Sequence, residues 1–288
     1  MIEPGVTISS TDVSRHYDDL DPYYRALWGE YLHHGLFTSR REGPEQAVLN
    51  LLDHLFAHLE VSPGSAVCDV GCGYGTTAAH LVDRYHCNVS AITLSRSQYE
   101  RALGRSKRLS GEVRFVHGDW LTNPFDDNEF DSVIAIESLA HMTDKAAFFR
   151  EAARVLRPGG RLGIYAWLAP QPVGAFQRNH LLEPICREGR LPSMGSMEEY
   201  LFMMRRAGLE PMLMEDLSRK VRRTWSVIGG RLARRIAVDR HYRRMILDPS
   251  FSNRIFALTV LRMMVAFRTG AMKYGLLTAE KPLRETAA

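Results

Sequence analysis

Ala66-Val-Cys-Asp69-Val-Gly71-Cys72-Gly73-Tyr-Gly75-Thr76-Thr-Ala-Ala-His-Leu81 is the stretch that decides the fold. Its first residues, Ala66 to Cys68, read as a short apolar strand that delivers Asp69 to a turn punctuated by Gly71, Gly73 and Gly75. A helix then starts at about Thr76. Glycine, lacking Cβ, lets the backbone turn sharply and approach a ligand closely. The helix N-terminus adds free N–H groups and a partial positive charge. Such a crevice at the carboxyl end of a strand suits a nucleotide-like ligand. It is not a dinucleotide fingerprint, because D-V-G-C-G-Y-G lacks the third glycine of G-x-G-x-x-G.

Outward from this turn, strands and helices alternate. A helix from Pro44 to Glu60 carries Val48, Leu51, Leu52, Leu55 and Leu59 on one stripe. Strands are expected at 66–70, 88–93, 112–117, 131–136, 161–167, 211–216 and 272–279, with helices at 76–86, 96–109 and 144–156. The alternation predicts an α/β, Rossmann-like, doubly wound sheet of seven strands. Leu156-Arg-Pro-Gly-Gly160 reads as a helix stop and a turn into the fifth strand. The expected organisation is a lid segment over 1–43, a core over 44–217, an arginine-rich helical cap inserted at 218–271, and a last strand and tail over 272–288.

Composition bounds the function. With 45% apolar and 24% charged residues in 288, the chain is of ordinary globular type. No uncharged apolar run approaches the ~18 residues that span a bilayer. The first residues lack an apolar signal core, so a cytoplasmic protein is expected. Cys68, Cys72, Cys87 and Cys186 form no C-x-x-C pair and no zinc spacing, so reduced thiols and no metal centre are expected. Arginine outnumbers lysine 32 to 5, a bias associated with GC-rich bacterial genomes. Residues 218–270 hold thirteen Arg and Lys against Asp239 and Asp248, so they carry +11 within a net charge of +4. Two helices are expected there, 222–246 and 253–268, broken at Asp248-Pro249, with either a solvated arginine face or a face that attracts an anionic acceptor, a carrier-bound acceptor or a partner subunit. Nucleic acid is not expected, since no recognised binding motif is present. Self-association as a homo-oligomer is left open.

Further motifs fall into register with the first. Thr93-Leu94-Ser95-Arg-Ser-Gln98 closes the second strand, where many nucleotide-binding folds place an acid for ribose. Thr93 and Gln98 offer a hydroxyl and an amide instead, with Leu94 against a purine. In Gly118-Asp119-Trp120 the carboxylate can accept from an adenine amine and the indole can lie beside the ring. Ile136-Glu137-Ser138 ends the fourth strand above the same place.

The set DVGCGYG (69–75), ITLSRSQ (92–98), GDW (118–120), IESLAHM (136–142) and VLRPGG (155–160) resembles class I S-adenosylmethionine (SAM)-dependent methyltransferases, in the sterol, tocopherol and cyclopropane-synthase-like branch. The resemblance to tocopherol-type enzymes extends over about residues 14–282, through YDDLDPYYRALWGEYLHHGLF, LLEPICREGRLPSMGSMEEYLFMMRRAGLE and MKYGLLTAEKP, and is weakest in the arginine-rich insert. It implies SAM as cofactor, S-adenosylhomocysteine as by-product, and cofactor contacts at Asp69, Gly71, Cys72, Gly73, Thr93, Leu94, Gln98, Asp119, Trp120 and Ile136. Cyclopropane synthases of this superfamily carry a cysteine in the strip that closes over the methyl donor, and a glutamate directly before the later histidine. Here His34 stands near the first position and Ala140 at the second, which argues against cyclopropanation of lipid alkenes.

Methyl transfer from a sulfonium is an in-line displacement, so positioning and exclusion of water dominate. The acceptor must still lose a proton, which directs attention to histidine. His141 is the first candidate base, as similar natural-product O-methyltransferases imply; His34, in EYLHHGLF beside His33, is the second. Tyr17, Tyr23 and Tyr24 are expected on a lid helix. Methionines at 194, 197, 203, 204, 212 and 214, with Phe176, Leu181, Leu182, Trp225, Phe251, Phe256 and Phe267, point to a hydrophobic small-molecule acceptor, and the arginines leave room for an acidic group on it. The expected activity is methylation of an O or C atom in bacterial specialised metabolism. N-methylation, a cyclase with structural SAM, and a non-catalytic assembly subunit are the alternatives.

Overall fold

A computed structural model describes residues 1–107, 109–248 and 254–283. In chain order the helices and strands are α1 (Ser10–Leu27), α2 (Pro44–Leu59), β1 (Ala66–Val70), α3 (Thr76–Tyr85), β2 (Asn88–Thr93), α4 (Arg96–Ser106), β3 (Val113–His117), β4 (Phe130–Ile136), α5 (Lys145–Val155), β5 (Leu156–Leu168), α6 (Ala175–Gln177), α7 (Glu183–Glu188), α8 (Met197–Arg206), β6 (Glu210–Asp216), α9 (Ser218–Val221), α10 (Arg223–Val238), α11 (Arg240–Leu247), α12 (Arg254–Thr269) and β7 (Lys273–Glu280). The seven strands form one sheet in the order β3-β2-β1-β4-β5-β7-β6. The first five are parallel; β7 runs antiparallel between β5 and β6.

Alternate residues of the central strands enter two different clusters. Val67, Ile134 and Ile136 pack with α2 and residues of α1, α10 and α12, whereas Cys68, Val70, Val133 and Ala135 pack with α5 and α8. A parallel sheet buried on both faces needs this alternation of two apolar sets. β1 and β4 are neighbours, so their carboxyl ends lie side by side; this places the glycine turn next to Glu137 and Ser138.

Three sequence expectations change. Leu156–Gly160 is strand, not a helix stop and turn: β4 pairs Phe130 with Leu156, then Ser132 with Arg161, so the extra residues bulge out of the ladder. Gly159 makes this bulge at φ +80°. The first cap helix is not continuous over 222–246; Asp239 is extended and its side chain accepts from the His241 N–H at 2.8 Å, ending α10 and starting α11. The 96–109 helix stops at Ser106. Pro249, Phe251 and most of the expected break between the cap helices lie outside the described residues, as does the side chain of Phe256. No described helix is long and apolar enough to cross a membrane.

Candidate active site

The Gly71 and Cys72 N–H groups both donate to the Ile92 carbonyl, at 2.8 and 3.0 Å, which fixes the turn between β1 and α3. Gly71 has φ +75°, and a Cβ there would stand 2.4 Å from the Cβ of Ser138. The space beside the turn is therefore a cradle that only glycine leaves open. Around it lie Gly73, Thr93, Leu94, Gln98, Asp119 and Trp120, lining a crevice of about 100 Å³. The Thr93 hydroxyl donates to Gln98 Oε1 at 2.9 Å, so the amide is oriented with its nitrogen left for other partners. Asp119 uses one oxygen to accept from the Leu121 N–H at 2.9 Å. Trp120 lines the floor: its Nε1–H donates to the Phe148 carbonyl at 3.3 Å, which holds most of the indole in the core.

Asp69, Cys72 and Ile136 do not line the crevice. Cys72 and Ile136 are packed in the core, and burial pushes the Cys72 thiol far up, leaving it neutral. Asp69 is 2% exposed, and its Oδ2 has no hydrogen-bond partner. Burial alone raises its carboxyl to about 7. An unpaired buried acceptor beside a glycine cradle is an incomplete site, and a cationic or N–H donor brought by a ligand would complete it.

His141 stands at the other side, just after β4. Its Nδ1 faces the Arg190 carbonyl at 3.3 Å and its Nε2 faces the Tyr17 hydroxyl at 2.8 Å. A carbonyl only accepts, so Nδ1 carries the proton and Tyr17 donates to the Nε2 lone pair. Burial lowers His141 to about 4, so the ring is neutral at physiological pH. Tyr17 stacks on Tyr24, whose hydroxyl pairs with His16 Nε2 at 3.0 Å. Behind them opens a chamber of about 480 Å³, lined by Tyr24 from α1, Trp28 at its C-cap, Trp167 from β5, Trp225 from α10, and Val260 and Met263 from α12. Chamber and crevice share Tyr17, Leu32, Glu137 and His141, so each of these four can touch both occupants.

His34 is not placed as a proton acceptor. It is fully buried, its Nδ1–H donates to Glu137 Oε2 at 2.9 Å, and its Nε2 accepts from Trp225 Nε1–H at 2.7 Å. Both ring nitrogens are taken. The functional residue that the sequence leaves without a role is Glu137. Its carboxylate accepts from the His34 N–H (2.8 Å), His34 Nδ1–H and the Tyr274 hydroxyl (2.9 Å). Burial works to raise the Glu137 carboxyl, but the His34 donors outweigh it and hold it below the ordinary carboxylate value. The residue also sits at φ +60°, a strained backbone for a non-glycine residue. An acid closing a central strand level with the glycine turn is the signal that could have found it.

The expected arginines of the cap are elsewhere. Arg234 and Arg235 point outward, and Arg231 donates to the Leu27 and Trp28 carbonyls at 2.6 and 3.3 Å, capping the end of α1. Arg15, Arg187 and Arg190 line the chamber instead, with Asp12, Asp19 and Glu188, the last paired with Arg262.

The family model of mycolic acid cyclopropane synthetase matches residues 6–243. The chain belongs to this family of class I SAM-dependent methyltransferases. It is 32% identical to 27-O-demethylrifamycin SV methyltransferase of Amycolatopsis mediterranei, over 94% of this chain and 97% of that protein. It is 28% identical to the chloroplastic tocopherol O-methyltransferase of Arabidopsis thaliana, over 94% and 82%. Among solved structures, the [4+2]-cyclase SpnF superposes with a TM-score of 0.82 at 26% identity, covering 96% of this chain and 98% of that one. Mycolic acid cyclopropane synthase CmaA1, complexed with S-adenosylhomocysteine and CTAB, shares the fold with a TM-score of 0.82 at 19% identity, over 96% and 100%. The enzyme is thus a SAM-dependent methyltransferase, and SAM is its cofactor.

Proposed function

We propose that the enzyme methylates a hydroxyl oxygen of a hydrophobic small molecule of specialised metabolism, held in the 480 Å³ chamber. The observation that carries this is the Tyr17–His141 pair, 2.8 Å apart at the boundary of chamber and crevice. Gly71, Gly73 and Asp69 would hold the methionine end of SAM, Thr93, Leu94 and Gln98 its ribose side, and Asp119 with the Trp120 floor its adenine. SAM supplies an electrophilic methyl on a sulfonium that already leaves well. Tyr17 accepts the hydroxyl proton of the acceptor while passing its own proton to His141 Nε2, so the nucleophile becomes an oxyanion as it attacks and the imidazole ends protonated. The three tryptophans and Tyr24 exclude water, and Glu137, held by His34 and Tyr274, fixes the wall between the two compartments.

The names of the rifamycin and tocopherol relatives support an oxygen acceptor. The lining of the chamber supports an organisation in which 1–43 closes the site and 218–271 caps it, since Trp28 and Trp225 meet edge to face at 5.6 Å. An acidic group on the acceptor would meet Arg15, Arg187 or Arg190 rather than the outer cap arginines. A drug-sized acceptor suits the volume. The test is a panel of phenols and secondary alcohols of that size incubated with methyl-labelled SAM. An O-methyl product with equimolar S-adenosylhomocysteine is expected. Label on carbon refutes the oxygen acceptor, and a rearranged product without homocysteine release favours a SpnF-like cyclase.

A further inference from the structure

Outside the chamber lining, where α2 meets the sheet edge, folding assembles a cluster that no motif announces. His54 and His58 stand one turn apart on α2, on one helix face. Glu215 approaches them from the edge strand β6. One ligand atom from each residue lies within 4.8 Å of the others, and His54 Nε2 is 3.1 Å from Glu215 Oε2.

Hydrogen bonding fixes which atoms are free. The Tyr165 hydroxyl donates to the Leu51 carbonyl at 3.0 Å, so its oxygen accepts from His54 Nδ1–H at 2.9 Å. Tyr165 is fully buried, which makes it a rigid anchor. With its proton on Nδ1, a neutral His54 presents the Nε2 lone pair toward Glu215 Oε2, whereas a protonated ring donates to that oxygen as an ion pair. A ring nitrogen oriented by a bond at its other nitrogen is the usual second layer of a metal-bound histidine. Lys220 Nζ lies 3.2 Å from Glu215 Oε1, so the carboxylate offers a single oxygen. The His58 ring makes no hydrogen bond among the described residues. Three ligands each ~2.0–2.1 Å from a tetrahedral zinc stand about 3.3 Å from one another. The observed spacing needs only small side-chain rotations to reach this.

We propose that His54, His58 and Glu215 form a binding site for a divalent transition metal of the zinc type, with its fourth position open to water, tying α2 to β6. Neither the cysteines nor a histidine cluster beside them gives zinc spacing in the sequence, because this histidine pair is completed by a residue 157 positions on. Tag-free, metal-free full-length protein titrated calorimetrically with zinc chloride should bind one equivalent, with a rise in Tm that magnesium chloride does not produce. The His58→Ala variant removes a ligand without touching the Tyr165 anchor and should weaken zinc binding at least about tenfold. Glu215→Gln should weaken it likewise. Absence of zinc heat, as for a simple protonated His54–Glu215 ion pair, overturns the proposal. So does equal affinity in the His58→Ala variant, whose fold is checked by its circular dichroism.

Discussion

Glu137→Gln should cost the protein about 3 kcal/mol, far more than one atom suggests. In the wild type, Oε1 accepts from the His34 N–H and the Tyr274 hydroxyl, and Oε2 accepts from His34 Nδ1–H. A glutamine keeping its oxygen at the first position turns its NH₂ toward His34 Nδ1–H, donor against donor. Reversing the amide sets the NH₂ against the His34 backbone N–H, which is worse. His34 cannot escape by moving its proton to Nε2, because that nitrogen already accepts from Trp225 Nε1–H at 2.7 Å. The loss is therefore a bond to a charged group, worth about 1.5–3 kcal/mol, together with a buried donor left unpaired, about 1–3 kcal/mol.

The lock on the tautomer makes the reasoning refutable by a double-mutant cycle in urea. Trp225→Phe removes the indole N–H, and His34 can then carry its proton on Nε2 and accept from the new amide at Nδ1. Combined with Glu137→Gln, it should give a double variant more stable than the sum of the single losses by about 1–2 kcal/mol. Additivity within about 0.5 kcal/mol, or a loss under about 1 kcal/mol for Glu137→Gln alone, would refute the assignment of protons in this network.

Three other outcomes follow from the site. His141→Ala and Tyr17→Phe should each lower the single-turnover methylation rate by about 10²-fold; wild-type activity should hold as pH falls from 8 and drop only near the His141 value of about 4, where the accepting nitrogen becomes protonated. An unchanged rate in both variants removes the relay. Gly71→Ala drives a methyl into Ser138 at φ +75°, so SAM binding by calorimetry should be lost and stability should fall by at least about 1–2 kcal/mol; retained affinity would contradict the cradle. Asp69 is raised in the folded state to about 7 from 3.8, so the native protein holds a proton that the unfolded chain has released between those values. Stability from this group is present below about 3.8 and lost as pH rises to 7, by up to roughly 4 kcal/mol. Asp69→Asn should flatten that part of the wild-type urea stability profile in ligand-free protein, and an identical profile would show that the carboxyl is not desolvated.

What could be read in the chain was what local chemistry determines. The glycine turn, the period-two strands and the caps of the core helices depend on residues within a few positions, so β1, β2 and α3 fall where the pattern puts them. The Leu156–Gly160 bulge did not, because Pro and Gly signal a turn locally while pairing with Phe130 across the sheet keeps the segment extended. Asp239 ends α10 and caps α11, a break that the apolar period on both sides hides in the sequence. At the candidate site, the motif places His141 beside the crevice, whereas the fate of His34 turns on Glu137 and Trp225, 103 and 191 residues away. No spacing rule reports that both nitrogens of a histidine will be occupied.

The contacts that dock α1 also position the proposed proton relay. Asp18 accepts from the Ser95 and Ser97 hydroxyls at 2.6 and 2.8 Å, at the start of α4 beside the crevice. Asp21 takes both nitrogens of the Arg101 fork at about 3 Å and the Tyr74 hydroxyl at 2.8 Å, the latter from within the glycine turn. Arg231 holds the far end of the helix through its last carbonyls. Tyr17 lies on this same helix, one turn before Asp21, and its hydroxyl meets His141 Nε2 at 2.8 Å in the arrangement these contacts hold. The lid carries acids where the core offers serines and an arginine, and the crevice residues Thr93, Leu94 and Gln98 flank the serine anchors. In the proposed mechanism the residue that relays the proton is thus placed by the same helix that packs beside the crevice, and Asp21→Ala should lower the methylation rate as well as stability.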